Sequence, residues 1–127
     1  MESKADIQKL TKSADFARIK SKGSALYLVP WLTANYVTNQ GLGLRVGWTV
    51  PSYVGTAVVR NRMKRWMRVC LAKWAAAEKQ RGRMPQKNRD VNLVFRKRTK
   101  EFYKQLEHEE MNAAIENLFN NFAKKPV

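Results

Sequence analysis

The run GTAVVRNRMKRWMRVCLAKW, residues 55–74, decides how this chain folds. At about 100° per residue, its apolar side chains gather in one arc of roughly 140°, which predicts a helix that packs on a sheet. That arc holds Val59, Met63, Trp66, Met67, Cys70, Leu71 and Trp74. The rest of the circumference is basic and holds Arg60, Asn61, Arg62, Lys64, Arg65, Arg68 and Lys73. Thr56 is expected to cap the helix, which should run to about Lys79.

Segments with strand character lie on both sides of this helix. Residues 26–38 are rich in β-branched and aromatic side chains, although Pro30 interrupts them. Residues 42–50 alternate, so that Gly43, Arg45, Gly47 and Thr49 should form an open face of small and polar residues. A third strand is expected from Asp90 to Arg96, with Val91, Leu93 and Phe95 facing the core.

Two further helices complete a predicted order α-β-β-α-β-α in one domain, residues 1–127. The first runs from Ser13 to a stop at Gly23. The last is predicted from apolar positions at helical spacing, which are Met111, Ala114, Ile115, Leu118, Phe119 and Phe122. Residues 1–11 and 123–127 are expected to be loose ends, and Gln80 to Arg89 a mobile basic loop. Trp48, Trp66 and Trp74 are assigned to the core, while Trp31 is left undecided.

Charge is the strongest compositional signal. The chain has 25 Lys and Arg against 10 Asp and Glu, a net charge of +15, which predicts a polyanionic partner. The single cysteine, Cys70, excludes a disulfide framework. There is no long apolar stretch and no secretory signal at the N-terminus, so we expect a cytoplasmic protein without a membrane partner.

Five cations within the nine residues 60–68 repel one another, at about 0.2–0.5 kcal/mol for each i,i+4 pair. A phosphate backbone would offset that cost by releasing counterions. A solvated, solubilising face is the alternative, but no acid is interspersed in this run, and Asn61 adds a group that can donate and accept hydrogen bonds. The carboxylates are scattered, and His108 is the only histidine, so the sequence predicts no catalytic site in the protein.

The pattern from Gly55 to Arg68 resembles the signature of the bacterial ribonuclease P protein. Further matches follow in the same order along residues 10–122. They are Leu10, Asp15-Phe16, Lys22-Gly23, the strand Leu44-Arg45-Val46-Gly47 and the strand from Asp90 to Arg96. The sequence also departs from the family pattern, because Pro51-Ser52-Tyr53 stands where Ser-Lys-Lys is usual and Lys20 where an aromatic residue is common.

The resemblance implies an α/β fold, a two-layer α+β sandwich similar to domain 2 of ribosomal protein S5. It would have a roughly four-stranded sheet and a left-handed βαβ crossover, where general topology rules favour a right-handed one. The implied partners are the ribonuclease P catalytic RNA and precursor tRNA, with no protein partner required. Mg²⁺ would be held mainly by the RNA subunit and the substrate, and the protein alone would be inactive.

The resemblance also assigns residues to these partners. The residues implied to bind the catalytic RNA are Arg60, Asn61, Arg62, Lys64, Arg65 and Arg68. Those implied to line a cleft for the single-stranded 5′ leader of precursor tRNA are Phe16, Arg18, Lys20, Lys22 and Arg45. A general or ribosomal RNA-binding protein and a stand-alone metal nuclease are the alternatives. A general RNA-binding protein would have no reason to carry all the motifs in this order. A metal nuclease would need clustered carboxylates, whereas the carboxylates of this chain are scattered along the sequence.

Overall fold

A five-stranded mixed sheet forms the centre of the computed structural model, which describes residues 7–80 and 88–124. Its strands are β1 (Gln8–Lys9), β2 (Ser24–Val29), β3 (Leu32–Thr38), β4 (Leu44–Thr49) and β5 (Arg89–Phe95), in the spatial order β1-β4-β5-β3-β2. The helices are α1 (Ser13–Lys22), α2 (Ala57–Gln80), α3 (Phe102–Gln105) and α4 (His108–Lys124), and a 3₁₀ turn spans Ser52–Val54. The β2–β3 and β3–β5 pairs are antiparallel, whereas β4 is parallel to both β1 and β5.

The predicted apolar arc of α2 is confirmed. It packs with α4 on one face of the sheet, and the core side chains of α2 are Val59, Met63, Met67, Cys70 and Leu71. All six apolar positions predicted for the last helix are buried in the same core, as are Val91, Leu93 and Phe95 of β5. Thr56 caps α2 as expected, because its Oγ1 accepts a hydrogen bond from the Val59 amide at 3.4 Å. None of the helices described is long and apolar enough to cross a membrane.

Pro30 divides the predicted strand of residues 26–38 into β2 and β3, which pair as a hairpin. The turn carries Trp31 into the core, where it is 5% exposed and its ring contacts Phe95, Phe102 and Tyr103. Trp31 is therefore the most deeply buried of the four tryptophans. The three tryptophans assigned to the core from the sequence lie at its margin and are only partly buried.

The expectation of a loose N-terminal end is wrong for residues 7–11. β1 adds to the sheet edge beside β4, and Leu10 is buried and donates its amide hydrogen bond to the Val46 carbonyl oxygen at 3.0 Å. A strand of only two residues is too short to produce a periodic pattern that could be recognised in the sequence. At the other end α4 reaches Lys124. The remaining residues of the two expected tails, 1–6 and 125–127, lie outside the described part of the chain.

Arg89 was expected in a mobile basic loop, and this expectation is also wrong. It opens β5 and is 3% exposed. Its guanidinium carbon lies 4.2 Å from the ring centroid of Phe122 and 5.7 Å from that of Tyr36, so the cation rests against two aromatic faces. Burial lowers the pKa of Arg89. Residues 81–87 of the expected loop are outside the described residues.

The two-sided character of α2 can be tested by comparing a buried and an exposed position two residues apart. Met67→Ala should lower the free energy of unfolding by about 2–5 kcal/mol, because Met67 is 0% exposed and its loss leaves a cavity. Val69 is 52% exposed, so Val69→Ala should change it by less than about 0.5 kcal/mol. Urea unfolding measures both, and equal shifts would contradict the orientation of α2.

Candidate nucleic-acid interface

Residues 60–68, about two and a half turns near the start of α2, carry the charge predicted from sequence. We define the basic helix face as Arg60, Asn61, Arg62, Lys64, Arg65 and Arg68. Asn61, Arg65 and Arg68 are exposed, while the other three are partly covered. The six residues lie on one rigid element, because the apolar side of the same turns is locked into the core.

Backbone carbonyl groups orient two of the arginines on this face. Arg60 Nε donates to the Gly55 carbonyl oxygen at 3.1 Å, and Arg62 Nη2 donates to that of Lys104 at 2.9 Å. The Arg62 guanidinium also lies 5.4 Å from the Trp66 ring centroid. Because carbonyl groups and rings carry no net charge, these contacts fix the guanidinium groups without neutralising them.

No acid in residues 7–80 and 88–124 forms an ion pair with the basic helix face. The described ion pairs lie elsewhere, around Asp90 and between Glu101 and Lys104. The repulsion among the cations of α2 is therefore not relieved by the described carboxylates. Within residues 7–80 and 88–124, the helix therefore presents a positive surface that no ion pair neutralises, which is the electrostatic footprint of a polyanion-binding site.

The second candidate surface is the sheet face opposite α2, where α1 lies across β3 and β5. Phe16 is half-buried, and its ring lies against Gly47 of β4. A Cβ atom on residue 47 would be only 2.5 Å from Phe16 Cζ, so any other residue there would displace the Phe16 ring from its present position. The small-residue face predicted for β4 therefore serves to admit the ring.

A buried carboxylate ties α1 to this face. Asp90 is 0% exposed, and it accepts hydrogen bonds from Arg45 Nε at 2.8 Å, from Arg45 Nη2 at 2.7 Å, from Arg18 Nη2 at 2.7 Å and from Asn39 Nδ2 at 2.8 Å. Arg18 Nη1 also donates to the Thr38 carbonyl oxygen at 3.1 Å, and Arg45 lies 3.4 Å from Asp15. The cluster joins α1, β4 and β5 through charged hydrogen bonds.

These contacts set the charge state of the cluster. Burial alone would raise the pKa of Asp90, but hydrogen bonds from Arg45 and Asn39, with the charges of Arg45 and Arg18, outweigh burial and lower it. The hydrogen bond to Asp90 is the largest influence on Arg45 and raises the pKa of its guanidinium. Asp90 is therefore ionised at neutral pH.

The five predicted cleft residues thus fall into separate groups. Arg18 and Arg45 are committed to Asp90, so their charge is largely neutralised within the protein. Lys20 and Lys22 are exposed, and no described acid pairs with them. Phe16 is partly exposed, and its ring lies against Gly47.

Sequence reasoning did not find the role of Asp90, which it treated only as the start of a strand. The sequence did contain a signal for this role. Asp90 is one of only 10 acids, and the alternation of β5 places it on the open face of the sheet, as the alternation of β4 does for Arg45. It also missed Tyr27 and Tyr53, which are exposed by 72% and 40% on the open side of the sheet.

Among the described residues, no group of three or more potential ligand side chains of the types His, Cys, Asp or Glu is placed to hold a metal ion.

The fold and its charge distribution define a small basic α/β protein with the features of the polyanion-binding class. The family model described as Ribonuclease P matches residues 5–123. The chain therefore belongs to the ribonuclease P family, as a bacterial-type protein component.

Solved structures agree with this assignment. The Staphylococcus aureus RNase P protein at 2.0 Å matches with a TM-score of 0.66 and 21% identity, over 94% of this chain and 97% of that one. The Thermotoga maritima RNase P protein, in complex with 1-(4-fluorophenyl)-2-thiourea, matches with a TM-score of 0.66 and 25% identity, over 92% and 99%. The expected α/β fold is confirmed, with five strands instead of roughly four. Comparison with curated proteins gave no significant match.

The Asp90 cluster makes a prediction about stability and its pH dependence. Asp90→Asn should lower the free energy of unfolding at pH 7 by on the order of 2–3 kcal/mol, less than for a wholly buried pair because Arg18 is partly exposed. The pKa of Asp90 is lowered in the folded state. Its contribution is therefore complete above the unfolded value of about 3.9 and is lost as pH falls through the folded pKa.

Urea unfolding at pH 7 and at steps below about pH 4 checks this prediction, because the wild type and Asp90→Asn should converge as the pH falls. Glu116→Gln is the matched control, since it makes the same charge change at an exposed position of α4. The control should shift the free energy by less than about 0.5 kcal/mol. A constant difference between wild type and Asp90→Asn at every pH would contradict the assignment.

Proposed function

We propose that this ribonuclease P protein binds the catalytic RNA through the basic helix face and the single-stranded 5′ leader of precursor tRNA beside α1. In this role it assists the endonucleolytic removal of the leader, which yields mature tRNA 5′ ends. One observation carries the proposal. A row of cations on one rigid helix has no described carboxylate to neutralise it.

Phosphates fit the basic helix face better than a neutral partner does. Each cation that neutralises a phosphate releases a condensed counterion, and this release favours binding most at low salt. Arg60 and Arg62 are already oriented by carbonyl contacts, so they lose little side-chain freedom on binding. Arg65 and Arg68 extend from the same face into solvent, where they can reach a backbone that runs along α2.

The α1 cleft fits a single strand for a different reason. Single-stranded RNA is held by stacking on aromatic rings and by cations that follow its backbone. Phe16 supplies a partly accessible ring, and Lys20 and Lys22 supply cations that no described acid neutralises. Arg18 and Arg45 contribute indirectly: the bond from Arg18 to Asp90 ties α1 to β5, and Arg45, which is bonded to Asp90, also lies 3.4 Å from Asp15 of α1.

The proposed division of labour assigns the chemistry to the RNA. Asp90, the buried acid of the cleft, is held by two guanidinium groups and so is poorly placed to accept a proton or bind a metal. The described acids do not converge on a metal site. Mg²⁺ would then be held mainly by the RNA subunit and the substrate.

Cleavage of precursor tRNA at low magnesium, with and without a ribonuclease P RNA, tests the whole proposal. The protein should be inactive alone and should lower the substrate concentration that the RNA needs. Cleavage by the protein without RNA would indicate a protein nuclease. Binding to RNA without any gain in cleavage would indicate a general RNA-binding protein.

The role of the basic helix face is tested by Arg65→Ala. This variant should bind the catalytic RNA more weakly and reduce the slope of log affinity against log salt concentration by ~0.9 on duplex-like RNA, because one phosphate contact is lost. Lys100→Ala removes the same charge from an exposed position outside α2 and should leave the slope nearly unchanged. Equal slopes for wild type and Arg65→Ala would exclude this contact.

The role of Phe16 is tested with a pair of variants. Phe16→Leu keeps an apolar side chain against Gly47 but removes the ring, so it should fold and yet bind leader-bearing precursor tRNA about fivefold or more weakly, from ~1–3 kcal/mol per stacked base. Affinity for mature tRNA should be unchanged. Phe16→Ala should show the same selectivity with a larger loss of stability. Equal losses for both RNAs would assign Phe16 to folding alone.

A further inference from the structure

A groove of about 460 Å³ lies on the α2 side of the sheet, between the edge strand β1, the strand β4 and residues 68–79 of α2. It is separate from the α1 cleft, which lies on the opposite face of the sheet. We name it the edge groove, and the residues that matter in its lining are Lys9, Trp48, Arg68, Leu71, Ala75 and Lys79. Its volume is in the range of ~300–1,000 Å³ that is typical of small-ligand sites.

The inside of the edge groove is apolar. Val46 and Leu71 form its deep part and are almost fully buried, whereas the Trp48 ring is only partly buried at its side. On the α2 side, Ala72 and Ala75 contribute only methyl groups, so the helix does not fill the space in front of them. The groove can therefore accept a flat apolar group from outside the chain.

The rim of the edge groove is positively charged. Lys9, Arg68 and Lys79 are exposed, and none of the ion pairs found among the described residues involves them. Lys9 Nζ lies 5.4 Å from the Trp48 ring centroid, so the ring positions this cation without neutralising its charge. None of the described lining residues is acidic. The occupant should therefore combine an apolar face with negative charge.

The edge groove is continuous with the basic helix face. Arg68 belongs to both, and at ~1.5 Å per residue Lys79 lies about 16 Å further along α2. In the described sheet, β1 has a strand partner on one side only, so backbone groups on its outer side are available to hydrogen-bond a ligand. A polyanion bound along α2 would pass directly over this opening.

From these observations we propose that the edge groove takes up an unpaired nucleotide of the catalytic RNA. Its base would lie against the apolar lining, and the phosphates on either side of it would contact Lys9, Arg68 and Lys79. This inference rests on the proposed function of the basic helix face and adds a base contact to a surface that otherwise binds phosphates. Unpaired bases can be splayed out of an RNA and stacked on side chains, whereas base pairs in a duplex hide those faces.

The test fills the groove without changing its charge. Ala75→Leu adds a larger side chain at a helical position and keeps every cation, so it should exclude the base. The variant should bind a ribonuclease P RNA about fivefold or more weakly. Its slope of log affinity against log salt concentration should equal that of wild type, because no phosphate contact is lost. Ala113→Leu makes the same change at an exposed position of α4 and should match wild type.

Chemical probing of the bases in the same complexes identifies the nucleotide. Wild-type protein should protect at least one unpaired base of the RNA, and this base should stay reactive in the complex with Ala75→Leu. Lys79→Ala should behave in the opposite way. It should keep the protection at saturating protein concentration and reduce the salt slope by ~0.7, the value for one phosphate contact with a single strand.

Thermal unfolding separates exclusion of the base from a folding defect, because Ala75→Leu extends into the open groove and should unfold at the wild-type midpoint. Ala76→Leu, at an exposed position of the same lining, is a second filling variant and should give the same result.

The proposal is overturned if both filling variants bind the RNA as wild type does, which would leave an acidic protein partner as the occupant. It is also overturned if they bind weakly while every base stays protected. If Arg65→Ala weakens binding and the filling variants do not, this inference fails alone. If wild type does not bind the RNA, the proposed function fails too.

Discussion

The candidate leader-binding surface depends on one buried carboxylate. Asp90 is the second residue of β5. Its two carboxylate oxygens accept hydrogen bonds from Arg45 of β4, Arg18 of α1 and Asn39, which follows β3. An unpaired charge at this depth would be strongly destabilising, so the buried carboxylate depends on these partners. The cluster therefore fixes where α1 lies on the sheet, and that position brings Phe16 onto Gly47. Two residues that look like ligand-binding cations are used to build the cleft.

The positive charge that remains is distributed over distinct surfaces. On α2 it is concentrated along one helix whose opposite side is the core, so the position of those cations follows directly from hydrophobic packing. On the open sheet face it is concentrated at residues 96–98, just beyond the end of β5. Neutralisation of Arg18 and Arg45 by Asp90 leaves the middle of that face less positive than its ends. A strand lying across this face would therefore meet stacking and polar contacts in the middle and phosphate contacts at either side.

The departure from the family pattern at Pro51-Ser52-Tyr53 acquires a physical interpretation from this arrangement. Two expected cations are missing there, but the 3₁₀ turn instead presents the Tyr53 ring, which is anchored through its hydroxyl to β5. Stacking on a ring tolerates any base, and it depends less on salt than a phosphate contact does. At this place the chain therefore offers an aromatic ring where the family pattern has cations.

Much of the fold was available from the sequence because local periodicity reports which side of an element is buried. The apolar arc of α2, the inward side chains of β5 and the core positions of α4 were all predicted correctly. The family signature, which is a property of consecutive residues, was also visible. The two-residue β1, the burial of Trp31 and the buried position of Arg89 were not, because none of them produces a periodic local pattern.

For the candidate site the sequence by itself determined which residues carry charge and that five cations share one side of α2 with Asn61. It did not determine which cations remain available for a ligand. That was decided by the tertiary structure, since Arg45 and Asp90 are 45 residues apart and Arg18 and Asp90 are 72 residues apart. Strand order and register bring them within hydrogen-bond distance, and neutralisation depends on distance in space.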